Sequence, residues 1–228
     1  MLAATTNTSP VSSSAVQFSN RAIDLMGRRG VSDGEQDTFA AILSRAATSN
    51  AGTNPKDFLN SLSANEMEVL RKVHRLADPI SISRLDFEGA YNLLIAPGEA
   101  QDLDNDGFMN IGAARIWQYP PPNAPASVKQ AWEEATADIP ESEKWLKMAP
   151  FLAVTATANL KADNSGFYEP GETGYRNIYA EPGFSYTRQV QDILAMMERF
   201  KGQNDVNYQE NKDFLLSFLK TLATNHAV

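Results

Sequence analysis

The sequence contains no cysteine among its 228 residues and only two histidines, His74 and His226. Without cysteine the protein forms no disulfide, no thiolate nucleophile and no cysteine-ligated zinc site. We expect His74 at the surface of a helix or half-buried in it, because no pattern of residues places it in a Ser-His-Asp triad. No glycine-rich phosphate loop is present either. These absences predict a protein that is not an enzyme.

Long apolar runs and an excess of positive charge are also missing. No stretch approaches the roughly 18 apolar residues that span a bilayer, so we expect no membrane span. Lys and Arg total 20 against 28 Asp and Glu, which gives a net charge of −8. Nucleic acid and anionic membranes attract basic patches, so this balance disfavours both as partners and suits the binding of cations. A protein partner is compatible with the sequence, but no motif identifies one.

The first 20 residues carry no charged side chain and are rich in Ser, Thr, Asn and Ala. Such a segment buries too little apolar surface to offset its ordering entropy, so residues 1–14 are predicted to form a flexible, disordered tail. The alternative is an uncleaved export signal, because substrates of flagellar and other type III machines often begin with a similar composition. A positive n-region and an apolar core are absent, so we expect no secretory signal peptide. The protein is therefore expected either in the cytoplasm or exported by a route without a signal peptide.

Helix-start signals recur along the rest of the chain and predict an all-α, multi-helix globular fold. Ser32 with Glu35 and Ser63 with Glu66 form capping boxes ahead of apolar residues at helical spacing. Pro150 predicts a kink or break in the helix around it. Further helix starts are predicted at Ser14, Asn54-Pro55, Ser83, Ser127 and Ser142, and a short helix is predicted to carry Ile116 and Trp117.

A proline-rich turn at residues 120–126 is the predicted boundary between two helical regions, 15–119 and 127–228. The alternative is that this segment only turns the chain within one domain spanning 15–228. In either case we expect the prolines to pack internally against neighbouring aromatic rings.

The most specific chemical signal lies in residues 102–113, which we call the first loop. Aspartates stand at its positions one, three and five, so alternate carboxylates turn toward one point. Glycine at position six permits a sharp turn that brings the carbonyl of position seven to the same point, and asparagine at position nine contributes directly or through water. These residues are Asp102, Asp104, Asp106, Gly107, Phe108 and Asn110. Calcium prefers such a cage of six to eight oxygens, so the predicted cofactor is Ca²⁺.

The first loop resembles those of EF-hand and dockerin-type calcium modules, over about a dozen residues. The resemblance implies a calcium ligand set of Asp102, Asp104, Asp106, the Phe108 carbonyl and Asn110. The sequence departs from the family at position twelve, where Ala113 stands in place of a bidentate Glu. Weaker binding is the expected consequence, on the order of 10⁻⁴ M.

A degenerate copy follows at residues 161–172, which we call the second loop. Aligning its glycine, Gly166, with Gly107 gives a weaker set of candidate ligands, Asp163, Ser165, Phe167, Glu169 and Glu172. Position one is Lys161 rather than an acid. Because EF-hand loops pair back to back, the resemblance implies a two-residue bridge between Met109 and Tyr168. The alternative is an ordinary Asn-Ser-Gly turn.

The sequence thus predicts a non-catalytic calcium-binding protein in which the ion serves sensing or structure. An exported interaction or appendage-associated protein with at most a structural ion is the first alternative. An enzyme of unrecognised type is the second, and a cleft with perturbed carboxylates would favour it.

Overall fold

The computed structural model describes residues 16–199 and 208–226, so the predicted tail at 1–14 lies outside the described residues. Within them the chain is mainly helical, as predicted. The helices are α1 (Asn20–Arg28), α2 (Asp33–Ala47), α3 (Pro55–Asn60), α4 (Ala64–Val73), α5 (Phe87–Asn92), α6 (Ala126–Ala135), α7 (Lys144–Ala158), α8 (Tyr186–Arg199) and α9 (Tyr208–Thr224). Two 3₁₀ turns occur at Ile82–Arg84 and Ile178–Ala180. None of the described helices is both long and apolar enough to cross a membrane.

The all-α prediction is wrong at one place, the end of the first loop. Strand β1 (Phe108–Ile111) pairs with β2 (Ala114–Trp117) in a two-stranded sheet. Ile116 and Trp117, predicted to lie in a short helix, therefore lie in a strand. The reason is the two-residue turn between the strands, where Gly112 adopts φ +60°. Glycine takes a positive φ at little cost, and this reverses the chain before a helix can form.

The helix starts predicted from capping residues are confirmed in part. Helices α5, α6 and α7 follow Asp86, Pro125 and Glu143, so the starts predicted at Ser83, Ser127 and Ser142 are wrong by one to three residues. Both predicted capping boxes form: Glu35 and Glu66 each accept the backbone N–H of the serine three residues earlier, at 2.7 and 2.8 Å. The start predicted at Ser14 lies outside the described residues, and α1 instead begins after Ser19, whose hydroxyl accepts from Ala22 N. Helix α7 continues through Pro150, so the alternative of a break is wrong, and the kink stays a prediction.

The chain divides into two compact units. Unit 1 comprises residues up to Ala100 together with Asn110–Ala114. Its buried core is formed by α1 to α5 and includes Met26, Phe39, Ile42, Leu70 and Leu93. The division lies near residue 100, before the proline-rich segment suggested by the sequence.

Unit 2 comprises residues 101–109 and 115–228. Its core is aromatic: the rings of Tyr119 and Phe151 stack with centroids 3.7 Å apart, and Trp132 and Phe218 meet edge to face at 5.3 Å. Tyr119 directly precedes the proline-rich segment and Ala124 lies within it, and both belong to the buried core of unit 2. The acidic part of the first loop and the whole second loop belong to this unit.

His74 is buried in unit 1, whereas the sequence predicted it at the surface of a helix or half-buried in it. It caps the end of α4, and its Nε2 lies 3.1 Å from the carbonyl oxygen of Leu93. The pKa of His74 is lowered to about 4, mainly because burial disfavours the charged ring; the Leu93 carbonyl opposes this effect, and the neighbouring Arg29 adds to it. The imidazole is therefore neutral at pH 7.

Candidate metal centre

Two carboxylates of the first loop converge on one backbone amide. The N–H of Asp106 donates to Oδ1 of Asp102 at 3.1 Å and to Oδ1 of Asp104 at 3.2 Å. The other oxygen of Asp102 accepts from Gly107 N at 2.9 Å, and Oδ1 of Asp106 accepts from Phe108 N at 2.8 Å. Each carboxylate oxygen has more than one lone pair, so these bonds orient the three acids and leave acceptor capacity for a cation.

The turn depends on two residues with left-handed backbone. Asn105 at position four has φ +58° and Gly107 at position six has φ +90°. Asparagine tolerates this region better than other side chains do, and glycine adopts it freely. A Cβ on Gly107 would lie 3.1 Å from Oδ1 of Asn177, so the side chain of Asn177 packs closely against this glycine.

Three side chains from elsewhere in unit 2 hold the backbone of the first loop, and we call them the carbonyl clamp: Asn123, Tyr175 and Asn177. Asn123 donates to the carbonyl of Asp102 at 3.0 Å. The hydroxyl of Tyr175 donates to the carbonyl of Asp106 at 2.6 Å. Asn177 donates from Nδ2 to the carbonyl of Asn105 at 2.7 Å. The clamp fixes carbonyls at positions one, four and five of the loop.

The acids of the loop create a negative field at the clamp. The pKa of Tyr175 is raised to about 12, first by desolvation and then by the charges of Asp106 and Asp102. Arg115 acts in the opposite direction. A phenol next to carboxylates resists losing its proton, so Tyr175 remains a hydrogen-bond donor across the physiological range.

Asn110, the fifth predicted ligand, belongs to unit 1, where it forms hydrogen bonds with residues of α5 and with the N-cap of that helix. Its N–H donates to the buried carboxylate of Glu88 at 2.6 Å, and its carbonyl accepts from Asn92 at 2.8 Å. Its side-chain Nδ2 donates to Asp86 at 2.9 Å. The amide nitrogen of Asn110 is thus committed to α5, and only its Oδ1 is suited to bind a metal. Its role as a ligand stays a prediction.

The second loop reproduces the turn of the first. Ser165 N donates to Oδ1 of Asp163 at 3.0 Å, which is the contact between positions five and three seen in the first loop. Asn164 at position four has φ +57°, within 1° of its counterpart, and Gly166 at position six is also positive, at +139°. Residues 163–166 thus form a turn similar to that of residues 104–107.

The acids of the second loop have different partners. Glu172 pairs with Lys161 at 3.3 Å, and Glu169 pairs with Arg115 at 3.3 Å. Asp163 and Ser165 share the local geometry of the first loop, and the second ligand set as a whole stays a prediction.

The predicted bridge between Met109 and Tyr168 is wrong. Met109 lies in β1, which pairs with β2. Tyr168 N donates to the carbonyl of Asn159 at 2.7 Å, and the neighbouring bridge joins Leu160 to Phe167. Each loop pairs with residues close to it in the sequence. Pairing with residues a few positions away costs less loop-closure entropy than pairing with residues about 60 positions away.

Sequence reasoning missed the carbonyl clamp. Tyr175 and Asn177 lie 69 and 72 residues from the carbonyls that they hold. Their only sequence signal is their position shortly after the second loop. Comparisons of the chain with protein-family models, with curated proteins and with solved structures find no match. The candidate site is therefore interpreted from its own geometry.

Proposed function

We propose that this chain is a non-catalytic calcium-binding protein whose ion is held by the first loop. The ligands in unit 2 are the carboxylates of Asp102, Asp104 and Asp106 and the carbonyl of Phe108, with water completing the shell. The observation that carries the proposal is the convergence of Asp102 and Asp104 on the amide of Asp106. It supports a cation because neighbouring carboxylates repel one another unless a positive charge lies between them.

Calcium suits this cage better than magnesium does. Magnesium demands a near-ideal octahedron at about 2.0–2.1 Å, whereas calcium accepts irregular cages of six to eight oxygens at about 2.3–2.6 Å. A short loop with carboxylates at alternate positions provides oxygens in an irregular arrangement. We therefore expect calcium to bind more tightly than magnesium.

The role of the ion is structural rather than that of a switch. The carbonyl clamp holds the backbone of the first loop through bonds of 2.6–3.0 Å that need no ion. A loop that is already ordered gains stability from calcium without a large change in shape. Ala113 supplies no bidentate ligand, so we retain an expected dissociation constant on the order of 10⁻⁴ M.

The test is calorimetric titration of the chelator-treated protein with calcium, followed by thermal unfolding. At about 100 times its dissociation constant, calcium adds roughly 2.7 kcal/mol to the free energy of unfolding. For a chain of this size each kcal/mol shifts the melting temperature by about 2–4 °C, so we expect a rise of roughly 5–11 °C.

The double variant Asp104→Ala, Asp106→Ala removes two carboxylates, so it should lose the calcium-dependent rise and retain its helical circular dichroism. The matched control is Asp163→Ala, which removes the acid at position three of the second loop and should keep the full rise. If wild type and the double variant melt at the same temperature with calcium and with chelator, the first loop is an acidic turn and the proposal is wrong. An increase of apolar dye binding on adding calcium would instead identify a sensor.

A further inference from the structure

Lys161 occupies position one of the second loop, where the first loop has the buried acid Asp102. Its backbone closes the turn from both sides: its N–H donates to the carbonyl of Gly166 at 2.9 Å, and its carbonyl accepts from Asn164 N at 2.9 Å. The backbone of Lys161 is therefore held in place at the start of the second loop, whose turn is similar to that of the first loop.

The side chain of Lys161 joins the first and last positions of the second loop. Its Nζ lies 3.3 Å from Oε2 of Glu172, the residue at position twelve. It also lies 5.4 Å from the ring centroid of Tyr168, over the face of the ring. Glu172 in turn accepts the backbone N–H of Glu169 at 2.9 Å. The ammonium of Lys161 thus links the first and last positions of the second loop.

The other acids around this turn are also compensated locally. Glu169 is paired with Arg115 at 3.3 Å. Asp163 accepts from Ser165 N at 3.0 Å. Each of these carboxylates thus has a hydrogen-bond or ion-pair partner within the protein.

We propose that the second loop is an ion-independent counterpart of the first, in which the ammonium of Lys161 takes the place of the metal ion. Lys161 determines specificity: its charge closes the loop and repels a divalent cation. The second loop then keeps its shape at any calcium concentration. Tyr175 and Asn177 follow it directly, so an ion-independent second loop holds two members of the carbonyl clamp in place.

The test exchanges the charge of this one residue. Lys161→Asp restores an acid at position one and creates a set with Asp163, Ser165, the Phe167 carbonyl and Glu172. Lys161→Met removes the charge without adding an oxygen ligand, and Lys161→Arg keeps it. Each change is made in wild type and in the Asp104→Ala, Asp106→Ala background, in which the first loop is disabled. Calcium stoichiometry is measured by calorimetry, and melting temperatures are measured in chelator and in calcium.

In the disabled background we expect no calcium binding with Lys161 or Lys161→Met, and one ion in the millimolar range with Lys161→Asp. In chelator, Lys161→Met should melt roughly 1–3 °C below its parent, as expected for loss of one partly exposed ion pair, whereas Lys161→Arg should match it. Lys161→Asp should melt lower still in chelator and recover in calcium.

Two results would overturn the inference. One is an ion bound by the disabled background while Lys161 is intact, which would show that the second loop takes metal despite its lysine. The other is a Lys161→Asp variant that folds, by circular dichroism, and gains neither an ion nor a calcium-dependent rise in melting temperature. Because the background lacks a working first loop, both results are independent of whether the first loop binds calcium.

Discussion

Tyr175 and Asn177 offer a way to weaken the first loop without touching any of its carboxylates. Tyr175→Phe removes only the hydroxyl that donates to the carbonyl of Asp106 at 2.6 Å. Asn177→Ala removes the amide that donates to the carbonyl of Asn105 at 2.7 Å, and also the oxygen that accepts from Tyr179 N at 3.1 Å. Both changes leave the predicted ligands in place.

The expected magnitude follows from the number of bonds lost. One intramolecular hydrogen bond contributes about 1 kcal/mol net. Asn177 binds the carbonyl of Asn105, whose backbone is left-handed at φ +58°. Without this hydrogen bond we expect Asn105 to relax toward the negative φ values that most residues adopt. A penalty of about 1 kcal/mol for restoring the binding conformation weakens calcium binding about fivefold for each variant. If the effects add, the double variant binds calcium about 25-fold more weakly.

The assay separates binding from stability. Calcium dissociation constants are measured by calorimetry, and free energies of unfolding are measured in chelator. Tyr168→Phe is the matched control, because it removes a tyrosine hydroxyl from the second loop and leaves the clamp intact. If Tyr175→Phe and Asn177→Ala lower stability in chelator but leave the dissociation constant unchanged, the clamp only holds unit 2 together, and the argument that it positions the first loop is wrong.

Other predictions concern unit 1. His74 has a folded pKa of about 4, below its unfolded value of about 6.5, so the unfolded state binds the extra proton first and stability falls by about 3 kcal/mol as the pH drops from 6.5 to 4. Urea unfolding between pH 6.5 and 4 should show this loss of unfolding free energy in wild type and not in His74→Gln. If the unfolding free energy depends on pH equally in both proteins, the lowered pKa of His74 is wrong. Gly89→Ala should destabilise by about 2–3 kcal/mol, because the new Cβ would lie 2.2 Å from the carbonyl oxygen of Gly112. Gly34→Ala is the control: this residue lies in α2 with open space around it, so the change should stabilise the protein by about 0.5–1 kcal/mol. A Gly89→Ala variant as stable as wild type would show that the hairpin turn can move away from α5.

The parts of this fold that the sequence predicted well depend on neighbours in the chain. The capping boxes of α2 and α4 and the proline start of α3 each involve residues within three positions of one another. The turn of the first loop is similar: its aspartates accept from amides two to five residues ahead. Such contacts form whenever the local sequence permits, so the residues themselves are sufficient to predict them.

The expectations that failed depend on what lies across the fold. Ile116 and Trp117 are as compatible with a short helix as with a strand, and the hairpin turn at Gly112 decides for the strand. His74 was expected near the surface because its neighbours in sequence are charged. The α4 cap and the carbonyl of Leu93 nevertheless enclose it.

The sequence alone determined the identity and order of the acids in the first loop, and hence the kind of ion that would suit it. Tertiary structure decided how that loop is held, because the clamp reaches it from about 70 residues away through Tyr175 and Asn177. It also decided the state of the second loop, where Lys161 pairs across the turn with Glu172 and Arg115 takes Glu169. The strength of an ion pair depends on the distance between its two charges, and that distance is set by the folded structure rather than by the residue types.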